Sequence, residues 1–192
     1  MIRFSIITPT IQRQSLIAAC ESVNSQSYEN WEHLIQVDRR ELNSELMAKI
    51  AHPKRTITQC DVEHRDGGNT CRGLAWERAV GQYCYYLDCD NFLADADILA
   101  DIDSALISNP AWAVFPITRL GGRFFSDPPR SCHTDTLNLV FRHEYAQWPK
   151  TDAYGSDGVM VEDLIGRGIP YTAYPDFRPI AVLPKISFCK ED

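Results

Sequence analysis

The stretch 83–92, YCYYLDCDNF, constrains this chain more than any other. An aromatic and apolar run from Tyr83 to Leu87 stops abruptly at Asp88-Cys89-Asp90. The run has the composition of a buried strand. Carboxylates at the carboxyl end of such a strand sit where open α/β sheets bind ligands. On an extended chain Asp88 and Asp90 point the same way, so both can face one cation. The tripeptide also reads as an ordinary strand end, with Asp90 or Asn91 starting a turn or capping a helix. Matches this short are common.

The rest of the chain supplies the sheet that such a strand needs. Residues 3–8 are a further apolar run, closed by Pro9, and residues 33–37, stopped by Asp38, and 55–60 read as two more strands. Between them, residues 14–26 and 41–51 carry apolar side chains at helical spacing, with Ser15 as a candidate cap. The turn signal Asp66-Gly67-Gly68-Asn69 precedes a helix predicted over 70–80, which Gly81 ends. A further helix is predicted over 95–108, stopped by Asn109-Pro110, and strands over 111–117 and 137–141. Residues 120–131 read as a loop. A helix is predicted over 156–165, capped by Ser156 with Asp157 in its first turn. Short strands over 171–174 and 180–183 follow. Alternation of strand and helix through the first half implies an α/β fold with a mostly parallel, Rossmann-like central sheet flanked by helices, in a single domain.

With 192 residues the chain can bury a sizeable core. Its net charge of −7 argues against broad nucleic-acid binding. The 7 cysteines have no paired spacing, and several lie in apolar runs. They read as reduced structural thiols of a cytoplasmic protein, not as a disulfide framework or a zinc site. The N-terminus opens on a strand pattern, without the charged-then-apolar pattern of a leader, and no apolar run is long enough to span a bilayer.

The order of motifs resembles the family 2 glycosyltransferases of the GT-A fold, over about residues 4–174. Pro9-Thr10-Ile11-Gln12-Arg13 matches the turn after the family's first strand. The segment from Ser22 to Glu32, SVNSQSYENWE, is a close match to the one that follows the first helix. Asp38 ends the second strand, Arg72 and Ala79-Val80-Gly81-Gln82-Tyr83 precede the acids, and Asp88-Cys89-Asp90 takes the place of the Asp-x-Asp. Counting back from Gly168 places Asp157 on the acidic position that opens the family's late helix. The chain departs from the pattern where Arg39-Arg40 replace a second acid after Asp38, and where Gly73 replaces an Asn.

The resemblance implies an inverting, metal-dependent transferase that moves a sugar from a nucleotide-sugar, UDP-linked, to an acceptor hydroxyl. Residues 1–110 would form the donor half and residues 111–192 the acceptor side. Asp90 and Asp88 would hold Mn²⁺ or Mg²⁺, with Asp88 near the ribose or a metal-bound water. Asp38 would accept from the base, Thr8 and Pro9 would line its pocket, and Arg13 and Arg72 would meet the diphosphate. Asp157 is the candidate general base, with Glu162 and Asp163 as competitors on the same helix. His133 is a candidate third ligand. Trp148, Tyr154 and residues 121–130 would shape the acceptor side. Two other readings stand beside this one. One is a non-catalytic nucleotide-sugar binding module. The other is a nucleotidyltransferase, disfavoured because no Gly-rich loop follows the first strand.

Overall fold

The computed structural model describes residues 2–39, 41–149 and 155–183. In chain order the elements are β1 (Phe4–Thr10), α1 (Leu16–Asn24), β2 (Trp31–Val37), α2 (Ser44–Lys49), β3 (Arg55–Gln59), α3 (Asn69–Trp76), β4 (Tyr83–Tyr86) and β5 (Phe92–Leu93). They continue with α4 (Ile98–Ala105), β6 (Trp112–Val114), β7 (Ile117–Arg119), β8 (Gly122–Phe124), β9 (Leu139–Arg142), α5 (Ser156–Gly166), β10 (Tyr171–Ala173) and β11 (Ala181–Leu183). Seven strands form the central sheet in the order β10-β6-β9-β4-β1-β2-β3. Only β9 runs against its neighbours. The expected mostly parallel α/β sheet is therefore the one found. A second sheet, β5-β11-β7-β8, packs at one side.

Alternation along the buried strands divides the core between the two faces. Phe4, Ile6, Tyr83 and Tyr85 point into one cluster with Ile98, Leu99 and Ile102 of α4. Ile7, Leu34, Cys84 and Tyr86 point the other way, onto Ala75 of α3 and Met160, Val161 and Leu164 of α5. A third cluster joins α1 and α2 to β2 through Leu16, Cys20, Ile35, Val37, Leu46 and Ile50. No helix among the described residues is long and apolar enough to cross a membrane.

Several boundaries differ from those the sequence predicts, each for a local reason. Ser15 does not cap α1: its hydroxyl is buried and makes no hydrogen bond. α2 starts only at Ser44, where the Asn43 side chain accepts from the Leu46 amide (3.0 Å). α3 stops at Trp76, short of residue 80, because the next segment is tied to the sheet. The amide of Val80 donates to Glu32 Oε1 (2.7 Å) and that of Gly81 to Ser5 Oγ (2.8 Å). Gly81 is thus a close-approach residue and not a helix end: a Cβ there would lie 2.5 Å from the Ser5 backbone nitrogen.

The strand predicted over 111–117 is split. Pro116 has no N–H for the ladder, so β6 stays in the central sheet while β7 crosses to the second sheet. The loop predicted over 120–131 contains β8, paired antiparallel with β7. At α5 the capping position is Gly155, in the left-handed region at φ 93°, and Ser156 is the first helical residue.

Candidate active site

β4 ends in a turn. Leu87 still extends the strand, its amide donating to the Ile7 carbonyl (2.9 Å). The Asn91 amide then donates back to the Asp88 carbonyl (3.0 Å). Residues 88–91 are therefore bent, which corrects the extended geometry the sequence suggested. The two carboxylates meet different guanidinium groups. Asp88 accepts from Arg72 Nη2. Asp90 Oδ2 lies 3.8 Å from Arg13 Nη1. Burial, and then the negative charge of Asp88, push the Asp90 carboxyl above its usual range, with Arg13 and Arg72 offsetting part of that.

Arg72 is held from three sides. Its Nη1 donates to the Gly67 carbonyl (2.9 Å), its Nη2 meets Asp88, and its guanidinium lies 4.7 Å from the centre of the Trp148 ring. It is 7% exposed, and its Nε makes no hydrogen bond. Burial alone would lower its pKa. The charge and hydrogen bond of Asp88 outweigh that and hold it above the ordinary value, so the group stays cationic.

The glycine turn before α3 sets this position. Asp66 accepts from the amides of Gly68 (3.1 Å) and Thr70 (2.8 Å) and from the Thr70 hydroxyl (2.6 Å). Gly68 sits at φ 84°, and a Cβ there would lie 2.9 Å from Pro9 Cβ. Only glycine lets the start of α3 approach the end of β1 this closely.

Trp148, placed on the acceptor side by the sequence reading, is buried. It is 4% exposed, donates from Nε1 to Asn69 Oδ1 (3.0 Å) and packs edge-on against Tyr86 at 4.8 Å. It forms the floor under Arg72.

Asp157 occupies the first turn of α5, half-buried, and its charge acts on both Arg72 and Asp135. Glu162 and Asp163 are exposed, and Asp163 pairs with Arg167 (3.0 Å). α5 is docked by Gly158, where a Cβ would lie 2.3 Å from Ser131 Oγ. That contact brings residues 130–135 to the site. Within them His133 is exposed, its ring nitrogen 3.2 Å from the Ser131 carbonyl.

The residue that sequence reasoning missed here is Asp135. It caps a short 3-10 turn through Leu137 (3.1 Å). Burial raises its pKa, the Leu137 amide offsets part of this, and Asp88 and Asp157 raise it further. Its only sequence signal was that of a cap.

Thr8 and Pro9 are both buried. The Thr8 hydroxyl donates to the Leu87 carbonyl (2.7 Å) and lies 2.9 Å from His33 Nε2. Thr8 therefore holds β1 to β4 from within. Asp38 is 5% exposed, and its two oxygens accept from the amides of His64 (2.8 Å) and Arg65 (2.9 Å). Beyond it lies an open groove of ≈ 460 Å³ lined by Arg39, Glu41, Val62 and Glu63. Tyr154 lies outside the described residues.

Two chemically distinct donor sets follow. Asp88 and Asp90 offer hard carboxylate oxygens, and the adjacent Asn91 side-chain oxygen is buried without a partner. Such a set fits Mg²⁺ or Mn²⁺. Asp38, Cys60 and His64 place one ligand atom each within 4.8 Å of one another, a softer mixed set.

The sequence matches no protein-family model and no curated protein. The backbone is similar to that of S. aureus TarS 1-349 in complex with UDP-GlcNAc, with TM-score 0.76 and 12% identity over 97% of this chain and 59% of that one. It is also similar to the mannosyltransferase PcManGT from Pyrobaculum calidifontis in complex with GDP-Man and Mn²⁺, with TM-score 0.76 and 17% identity over 98% of this chain and 58% of that one. Against the longer TarS structure it covers 94% of this chain and 36% of that one, at TM-score 0.75 and 12% identity. This chain shares their fold. It spans less than two thirds of the length of each of these proteins. Identities this low establish the architecture, so the chemistry of the site rests on the residues described above.

Proposed function

We propose that this chain transfers a sugar from a nucleotide-sugar, UDP-linked, to an acceptor hydroxyl with inversion, as a glycosyltransferase of the family 2 kind. The observation that carries the reading is the gathering of Asp88, Asp90, Arg13 and Arg72 at the carboxyl end of β1 and β4, with Asp157 acting on the same Arg72. The similarity in fold to a mannosyltransferase in complex with GDP-Man and Mn²⁺ supports it. Residues 1–110 supply the donor side, and residues 111–192 bring Asp157 and the acceptor side.

Asp88 and Asp90 hold the divalent cation, Mn²⁺ or Mg²⁺. When bound, it supplies positive charge against the leaving diphosphate. Arg13 is only loosely paired with Asp90, so its fork has N–H groups to offer phosphate oxygens. Arg72 orients Asp88 and keeps positive charge at the centre of the site. Asp38 and the groove beside it face the base. A carboxylate has about four lone-pair positions, and the two backbone amides leave room for a base N–H. Asp157 takes the proton from the acceptor hydroxyl as that oxygen bonds to C1. The bond from C1 to the diphosphate breaks on the opposite face, which inverts the configuration.

Water can stand in for the acceptor hydroxyl, so slow release of UDP from a UDP-sugar tests the reading without a known acceptor. Release is expected with Mn²⁺, and at least about tenfold less with chelator or in Asp90→Ala. Equal release with chelator and in Asp90→Ala would contradict the metal assignment. No release across a broad set of nucleotide-sugars, with binding intact, would favour the binding-module reading.

A further inference from the structure

The first half of the chain holds a second cluster of metal-binding chemistry, whose cysteines and histidine glycosyl transfer does not use and whose Asp38 it shares with the proposed base pocket. Cys60 follows β3, Cys71 lies in the first turn of α3, Asp38 follows β2, and His64 lies on the loop between β3 and α3. Spacing along the sequence argues against a zinc site, but the fold brings these four segments together. The ligand atoms of Asp38, Cys60 and His64 all lie within 4.8 Å of one another. The Cys71 sulfur is 3.6 Å from that of Cys60. A tetrahedral zinc ion, with bonds to sulfur of about 2.3 Å, holds two thiolates about 3.8 Å apart. The two cysteines are thus already at the separation such an ion needs.

The surroundings are those of a supported ligand set. Asp38 is oriented by the amides of His64 (2.8 Å) and Arg65 (2.9 Å). Gln36 Nε2 donates to Cys60 Sγ (3.3 Å), and the Gln36 oxygen accepts from Thr58 (2.6 Å) and Arg78 (2.6 Å). Outer hydrogen bonds of this kind fix ligand orientation in metal sites. Cys60 and Cys71 are buried, while His64 is exposed with its ligand atom already within 4.8 Å of those of Asp38 and Cys60. The mix of sulfur, imidazole and carboxylate suits Zn²⁺ and differs from the all-oxygen set at Asp88 and Asp90.

We propose that Asp38, Cys60, Cys71 and His64 bind one zinc ion. Four protein ligands close the site, which makes it structural. The ion ties the loop between β3 and α3 to the end of β2. That loop carries the glycine turn that sets Arg72, so the ion stiffens the donor side from outside the reacting atoms. Asp38 then has one oxygen on the ion and the other toward the proposed base pocket, and zinc binding itself can be tested without glycosyl transfer.

The test is a Co²⁺ titration of the reduced, chelator-treated full chain, with Co²⁺ as the spectroscopic stand-in for Zn²⁺. One thiolate-bound Co²⁺ per chain is expected, with thiolate-to-cobalt charge-transfer absorption and the intense visible bands of a tetrahedral site, distinct from any weakly absorbing Co²⁺ on Asp88 and Asp90. Zn²⁺ should abolish both. Cys60→Ser should remove the charge-transfer band. His64→Gln, at an exposed position that does not threaten folding, should weaken Co²⁺ and Zn²⁺ binding at least about tenfold. Asp90→Ala should leave the thiolate-to-cobalt band and its affinity unchanged. Absence of saturable Co²⁺ binding, a spectrum without thiolate character, or full affinity in His64→Gln would overturn the proposal, whatever the outcome of the nucleotide-sugar experiments.

Discussion

Asp157→Asn is expected to lower glycosyl transfer by about 10²–10⁴-fold, the usual contribution of a positioned general base, while donor affinity stays nearly constant. Asparagine keeps the shape and most of the hydrogen bonding of aspartate but cannot take a proton at neutral pH. A base acts on the acceptor hydroxyl in the transition state and contributes little to holding the donor. The geometry also provides internal controls. Glu162 and Asp163 lie on the same helix but are exposed, and Asp163 is engaged with Arg167. The charge of Asp157, by contrast, acts on both Arg72 and Asp135. Glu162→Gln and Asp163→Asn are therefore expected to turn over like the wild type. Steady-state turnover and donor affinity, measured on all three variants, check this. Full activity in Asp157→Asn would remove α5 from the chemistry.

The second large effect is expected at Arg72. Arg72→Met removes the ion pair with Asp88, the bond to the Gly67 carbonyl and the stacking on Trp148. Breaking a buried pair from one side costs about 3–5 kcal/mol. Asp88 retains 29% side-chain exposure and can recover some hydration, so the lower end, about 3 kcal/mol, is expected. Arg72→Lys should recover little, because an ammonium cannot serve Gly67, Asp88 and the Trp148 face together. Urea unfolding of both variants measures this. A loss within about 0.5 kcal/mol, typical of a surface change, would show that the pair is not a structural element of the site.

Much of the architecture was legible in the sequence because its strands are buried on both faces. β1, β2 and β4 are buried almost throughout, and the apolar residues that dominate them leave little ambiguity of type. The missed features depend on distant partners. Nothing in residues 77–81 announces that Glu32 and Ser5 capture those amides and end α3 early. β5 has only 2 residues, Phe92–Leu93, and owes its pairing to β11 near the end of the described chain.

The candidate site divides in the same way. Asp88, Asp90 and Asp157 were legible because local motifs mark them. The pairing of Asp88 with Arg72, across 16 positions, was not. Nor does the sequence signal that the Trp148 ring lies under the Arg72 guanidinium. Cys60 and Cys71 looked like isolated core thiols until the approach of α3 to the end of β3 placed their sulfurs in contact.

Calorimetric titration of the wild type and Asp90→Ala with UDP, GDP and their sugar conjugates, with Mn²⁺ and with chelator, tests the central claim most directly. The account predicts saturable binding of a uridine diphosphate or its sugar conjugate to the wild type in Mn²⁺, lost with chelator and lost in a folded Asp90→Ala. Binding that is equal in all four conditions, or no nucleotide binding in any of them, would contradict it.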